Sequence, residues 1–61
     1  MIIETTCNQF YRVWGTNDTD LAHVWFGERV RRFKAGGWNR IGSQKRPELV
    51  SKAHCLRVVE E

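Results

Sequence analysis

The chain has 61 residues, ten Lys and Arg against seven Asp and Glu, a net charge of +3, and seven aromatics of which three are tryptophan. That length allows one domain, 1–61, with a thin core, since a domain this small buries only about 60% of the surface of its unfolded chain. One domain is therefore the expectation, and nowhere does the sequence approach the roughly 20 consecutive apolar residues that cross a bilayer as a helix.

Met1-Ile2-Ile3-Glu4-Thr5-Thr6 lacks the basic start and long apolar run of a signal peptide, so a cytoplasmic location is expected. Ile2 to Thr6 reads as a first strand, Cys7-Asn8-Gln9 as a turn, and Phe10 to Trp14 as a second strand rich in aromatic and β-branched residues. Gly15 to Asp20 is a polar loop. Leu21 to Phe33 fits two templates. As a helix it has Asp18 or Thr19 to cap it and Gly36-Gly37 to stop it, but Gly27 falls mid-segment at a cost of about 1 kcal/mol relative to Ala. As a strand it is rich in Val, Trp and Phe, with Gly27 a bulge or bend. The residues after it favour the strand: Lys34-Ala35-Gly36-Gly37 makes a four-residue hairpin loop, and Trp38-Asn39-Arg40-Ile41 the returning strand. Pro47 punctuates a loop at Ser43-Gln44-Lys45-Arg46. Glu48 to Lys52 is a further strand, Ala53-His54-Cys55 a tight turn, and Leu56 to Glu60 the last strand. Five or six short strands at this spacing predict an all-β fold, a small closed or half-closed barrel. Its seven aromatics are expected to supply most of the core.

Charge is distributed unevenly. Between Arg29 and Lys52 eight basic residues face one acid, Glu48, a balance of +7, whereas the remainder has Arg12 and Arg57 against six acids, a balance of −4. Such a block favours an anionic partner, although a basic run is also ordinary solvated surface. The hairpin refines this. If Phe33 pairs with Trp38 across the loop, Arg31 faces Arg40, Val30 faces Ile41 and Arg29 faces Gly42. Val30 and Ile41 then share the core face, while Arg29, Arg31, Phe33, Trp38 and Arg40 share the other, with Lys34 at the tip. Two arginines held opposite each other repel, at a few tenths to about 1 kcal/mol. Guanidinium for phosphate and indole for stacking suit nucleic acid, DNA or RNA. The same surface suits an acidic protein patch, and the plain structural alternative is that the aromatics close the barrel with arginines stacked on them.

Other chemistry is poorly supported. Cys7, His23, His54 and Cys55 contain no C-x₂-C or H-x₃-H pair, so neither a metal nor any other cofactor is expected. The two cysteines, near opposite ends of the chain, read as reduced and buried, with a bridge between neighbouring strands as the alternative. Cys55 with His23, or Asp18 with Asp20, form no recognisable catalytic motif, and Asp18 and Asp20 serve a turn more simply. The expectation is a binding protein, not an enzyme.

Gly27-Glu28-Arg29-Val30-Arg31-Arg32, then Gly36-Gly37-Trp38, then Ala53-His54-Cys55-Leu56-Arg57-Val58-Val59 resembles the pattern of small SH3-like barrels, in which a one-turn helix precedes the closing strand. Gly27 to Gly42, about a quarter of the chain, is similar to the matching stretch of plasmid-borne type II dihydrofolate reductases. The Val-Gln-Ile-Tyr segment that builds the pore of those enzymes has no match here, so reductase activity is not implied. The resemblance implies an SH3-like fold and a small prokaryotic or mobile-element protein. The resulting expectation is a nucleic-acid-binding module using Arg29, Arg31, Phe33, Lys34, Trp38 and Arg40. The alternatives are a protein-interaction module docking on an acidic partner, and a homo-oligomerising structural protein, such as a homodimer. No membrane partner is expected.

Overall fold

The structure, a computed structural model, describes residues 1–42 and 46–61. The expected loop at Ser43-Gln44-Lys45 lies outside the described residues. Among the described residues six strands form, β1 (Ile2–Thr5), β2 (Phe10–Thr16), β3 (Val24–Arg32), β4 (Trp38–Arg40), β5 (Glu48–Ser51) and β6 (Cys55–Glu60), with a 3₁₀ turn over Lys52–His54 just before β6. The fold is thus all-β, and Leu21–Phe33 is not helical. Within the described residues no helix is long and apolar enough to cross a membrane.

The strands pair antiparallel in the order β4-β3-β2-β1-β6, with β5 beside the first half of β3. The sheet is open: its path ends on β4 and β6. These ends nevertheless meet through a side chain, because the Trp38 indole N–H donates to the Glu60 carboxylate.

Strand boundaries follow local chemistry. The β1–β2 turn is tight because Asn8 takes the left-handed conformation, φ 60°, while Thr5 N–H donates to the Gln9 carbonyl at 2.8 Å and Asn8 N–H to the Thr5 carbonyl at 3.0 Å. Asn tolerates that conformation better than most residues. β3 begins at Val24 and not Leu21 because the Thr19 hydroxyl accepts from the backbone N–H of Leu21 and Ala22, at 3.3 and 3.1 Å. That local turn competes with the ladder and leaves Leu21 98% exposed.

The core is aliphatic. Ile3, Val13 and Val50 are buried together, with Tyr11, Trp25 and Cys55 packed against them. Ile2 and Val30 are buried separately, and every aromatic stays partly or largely exposed, Trp14 at 58% and Phe33 at 49%. The expectation that aromatics fill the core is therefore corrected: three short strands meet at a spacing that small β-branched side chains fill. Gly27 is part of this fit. It sits in register between Val13 and Glu48, so it is no bulge. The irregularity lies on β2, between Val13 and Gly15, where Trp14 is the extra residue and is turned outward.

Cys7 and Cys55 are both free, Cys7 exposed and Cys55 half-buried; the sequence predicts burial of both thiols, and the turn position of Cys7 accounts for the difference. Asp18 does not pair with Asp20. It accepts from Lys52 Nζ at 3.1 Å and lies 3.6 Å from His23 Nδ1, tying the β2–β3 loop to the 3₁₀ turn, while Lys52 Nζ also stands 5.5 Å from the centre of the Trp25 ring. The Lys52 hydrogen bond holds the Asp18 carboxyl below its ordinary range. A lowered folded-state value favours the fold above the unfolded value, a contribution lost as pH falls through the folded one. Lys52→Gln is expected to return Asp18 toward the ordinary value, read by NMR titration of its side-chain carboxyl.

Candidate nucleic-acid interface

β2 registers with β3 from Thr16↔Trp25 to Phe10↔Val30 and goes no further. Beyond that point Arg31 to Asn39 continue as a two-stranded arm, paired as Arg31↔Asn39 and Arg32↔Trp38. Its loop runs from Phe33 to Gly37, where Phe33 N–H donates to the Gly37 carbonyl and Gly36 N–H to the Phe33 carbonyl, at 3.0 and 3.1 Å. Gly36 and Gly37 take φ of 90° and 86°, values open to glycine and strained for other residues.

This geometry corrects the expected register. Val30 opposes Arg40 and not Ile41, and Trp38 opposes Arg32 and not Phe33. The physical reason is the second positive-φ glycine, which lets the loop absorb Phe33 and become one residue longer. A shift of one residue turns the whole of β4 over. Arg31 and Arg40 therefore lie on opposite faces, and the predicted repulsive pair does not form.

The two faces now differ in character. On one, Phe10 and Trp38 pack with ring centres 5.1 Å apart, the Arg32 guanidinium covers Trp38 at 5.6 Å, and Arg40 flanks Val30. Arg12 pairs with Glu28 at 2.9 Å and Arg57 with Glu4 at 2.7 Å. Trp38, expected as a free stacking platform, is thus half-buried between Phe10, Arg32 and Glu60. Trp38→Phe keeps the ring packing and loses the indole donor, so it is expected to cost about 1 kcal/mol in urea denaturation.

On the other face Arg29 and Arg31 follow one another at alternate positions of β3, both exposed, with exposed Phe33 and Lys34 after them in the loop. Among the described residues Arg29, Arg31 and Lys34 form no ion pair. Arg29 stands across from Tyr11, whose phenol marks the edge of a cavity of about 130 Å³ lined by Thr5, Cys7, Gln9, Tyr11, Val50 and His54, among others. The phenol donates to Gln9 Oε1 at 3.1 Å. Its burial pushes the Tyr11 pKa above the ordinary value, and the Glu48 carboxylate pushes the same way, so it stays a protonated donor at neutral pH. Cys7 and His54 share this cavity, while His23 is held at Asp18; no cluster of three or more His, Cys, Asp or Glu side chains forms among the described residues.

Of the expected site residues, then, Arg29 and Arg31 share one face, Phe33 and Lys34 follow them exposed in the loop, and Trp38 and Arg40 lie on the opposite face. Arg32, absent from the expected set, is the cation that covers Trp38. The cavity lies outside every expectation from sequence, although Thr5, Cys7, Gln9 and Tyr11 are the odd positions around one tight hairpin and their alternation is the available signal. In the comparisons with known proteins, no family model, curated protein or solved structure matches the chain.

Proposed function

We propose that this protein is a small nucleic-acid-binding module that grips the phosphate backbone with its β3–β4 arm. The observation that carries this reading is the arm's charge: Arg29, Arg31, Arg32, Lys34 and Arg40 occur with no acid anywhere between Arg29 and Gly42. Cations gathered on a projecting ribbon raise the local potential and suit closely spaced phosphates. Exposed Phe33 beside them offers a ring for a base to stack on. The strand order, with a 3₁₀ turn before the last strand, supports assigning the fold to the SH3-like barrels, with the Trp38–Glu60 contact closing the gap between the sheet ends. The module acts by binding, without catalysis, in the cytoplasm of a prokaryote or on a mobile element.

The test is fluorescence anisotropy with a labelled oligonucleotide over a range of salt concentrations. Log affinity should fall linearly with log salt, with a slope of about −0.7 to −0.9 per phosphate engaged. Absence of binding at low salt would refute the reading. A second reading, docking on another protein, draws on the exposed Trp14 and on Leu49, 59% exposed beside Phe26 on a neighbouring strand. It predicts a stoichiometric complex that survives nuclease and high salt.

A further inference from the structure

The second face of the arm already holds an anion, and the anion comes from the chain itself. Trp38 stands across from Arg32, so their side chains share that face. The Arg32 guanidinium lies 5.6 Å over the indole ring, Phe10 packs against the ring at 5.1 Å, and the indole N–H donates to the Glu60 carboxylate. Glu60 reaches the ring from β6, the opposite end of the sheet path. A cation over the ring and a donor on its edge are the kinds of group that bind phosphate oxygens.

The acids of this face differ in how they are balanced. Glu4 opposes Phe10, Glu28 opposes Arg12, and Glu60 opposes Ile2, which itself opposes Arg12, so all three share the face by register. Glu4 is paired with Arg57 and Glu28 with Arg12. Among the described residues the side chains of Glu60 and Arg32 form no ion pair, and both meet the same indole. An unbalanced negative charge therefore stands at the root of a basic ribbon. There it repels an incoming phosphate and fills the donor that the phosphate would use. Tethering strengthens the effect, because a group in the same chain meets its site at an effective concentration of about millimolar or above. Phosphates on a dilute oligonucleotide compete poorly with that, and the arriving strand is left with the uncovered Arg29–Arg31 face.

We infer that Trp38 and Arg32 form a second phosphodiester site on the arm, and that Glu60 occupies it as an internal stand-in for phosphate and so restrains nucleic-acid binding. This rests on the reading of the arm as a phosphate grip, and it adds a restraint to that grip. With Glu60 in place a strand lies along one face. Without it the strand also engages the other.

The experiment follows the fluorescence anisotropy of a labelled oligothymidylate of about 12 residues against salt for the wild type, Glu60→Gln, Glu60→Ala and Glu61→Gln. Either change at Glu60 should tighten binding about fivefold near 0.15 M salt and steepen the log–log slope by about 0.7, the mark of one further phosphate. Glu60→Gln keeps an oxygen that accepts from the indole, so it tests the charge with the sheet ends still joined. Glu61→Gln removes a neighbouring charge without touching Trp38 and should leave the slope unchanged. Arg32→Ala should leave the wild-type slope unchanged and cancel the gain in the Glu60→Gln background, a coupling that a change of net charge alone does not produce. Unchanged slope and affinity in both Glu60 variants, with the wild type still binding, overturn the masked site and leave the phosphate grip standing. A gain no larger than that of Glu61→Gln also overturns it, since net charge then accounts for the effect. No binding by any of the proteins at low salt overturns both. The Trp38 indole N–H resonance is an independent measure: on saturation with the oligonucleotide it should stay in place in the wild type and move in Glu60→Gln. An equal shift in the two would mean that Glu60 does not guard the ring, and the inference fails.

Discussion

Replacing Gly27 with alanine is expected to destabilise the domain by about 1–3 kcal/mol. A Cβ there would lie 2.8 Å from Val13 Cγ1, 3.0 Å from the Arg12 carbonyl oxygen and 3.2 Å from Val50 Cγ2. The side-chain contacts could yield by rotating a valine, but both valines are buried in a core of three residues. The carbonyl belongs to the β2 backbone and moves only with the ladder. Removing a glycine from a strand ordinarily helps by about 0.5–1 kcal/mol through the unfolded chain, so the sign depends on which effect is larger. Contact at 2.8 Å against a closed core makes the steric cost prevail. A single core in a domain this small rarely supplies more than about 3–5 kcal/mol, so the loss is a large share of the total. Gly15→Ala is the control: its Cβ would meet Phe26 Cδ2 at 3.4 Å, an ordinary contact, and it should be neutral or slightly stabilising. Urea midpoints of the two variants decide the matter, and an unchanged midpoint for Gly27→Ala would mean that β2, β3 and β5 do not approach as described.

The same glycine shows how far the sequence can be read. A run of β-branched and aromatic residues through Val24–Arg32 marks a strand, and Gly36-Gly37 marks the turn after it. Gly27 is readable as unusual, though not as a site of close approach, because the atoms it meets come from Arg12, Val13 and Val50, distant in sequence. The register of β4 turns on whether Phe33 ends the strand or joins the loop. Local sequence does not separate these, since both loops place glycines where positive φ is needed; the structure has two such glycines in succession and the longer loop. That one residue moves Trp38 and Arg40 across the sheet while leaving Arg29 and Arg31 aligned, because alternation along β3 does not depend on its partner; Phe33, past the end of β3, passes into the loop. The cavity is hidden for a further reason. Its lining comes from β1, the β1–β2 turn, β2, β5 and the 3₁₀ turn, and only tertiary packing brings those elements together.

The surviving alignment gives the arm its sharpest test. Alanine at Arg29, Arg31 and Lys34 together is expected to lower the log–log salt slope by about two to three and weaken binding by about two orders of magnitude near 0.15 M salt. All three are exposed, and exposed substitutions of this kind usually change stability by less than about 0.5 kcal/mol, so the variant should fold. Net charge alone is not the cause, and a second variant separates the two. Arg12 and Arg57 are already paired with Glu28 and Glu4, so changing both to glutamine reduces the net charge while removing no phosphate contact, and the slope should hold. Arg31 with Arg40 is the informative pair. Because register places them on opposite faces, a strand lying along the Arg29–Arg31 face meets only one of them, and the double substitution should lower the slope by about one. A fall of two would mean that the ligand wraps the arm from both sides. No fall at all would take the arm out of the interface and leave its concentration of charge without a role in binding.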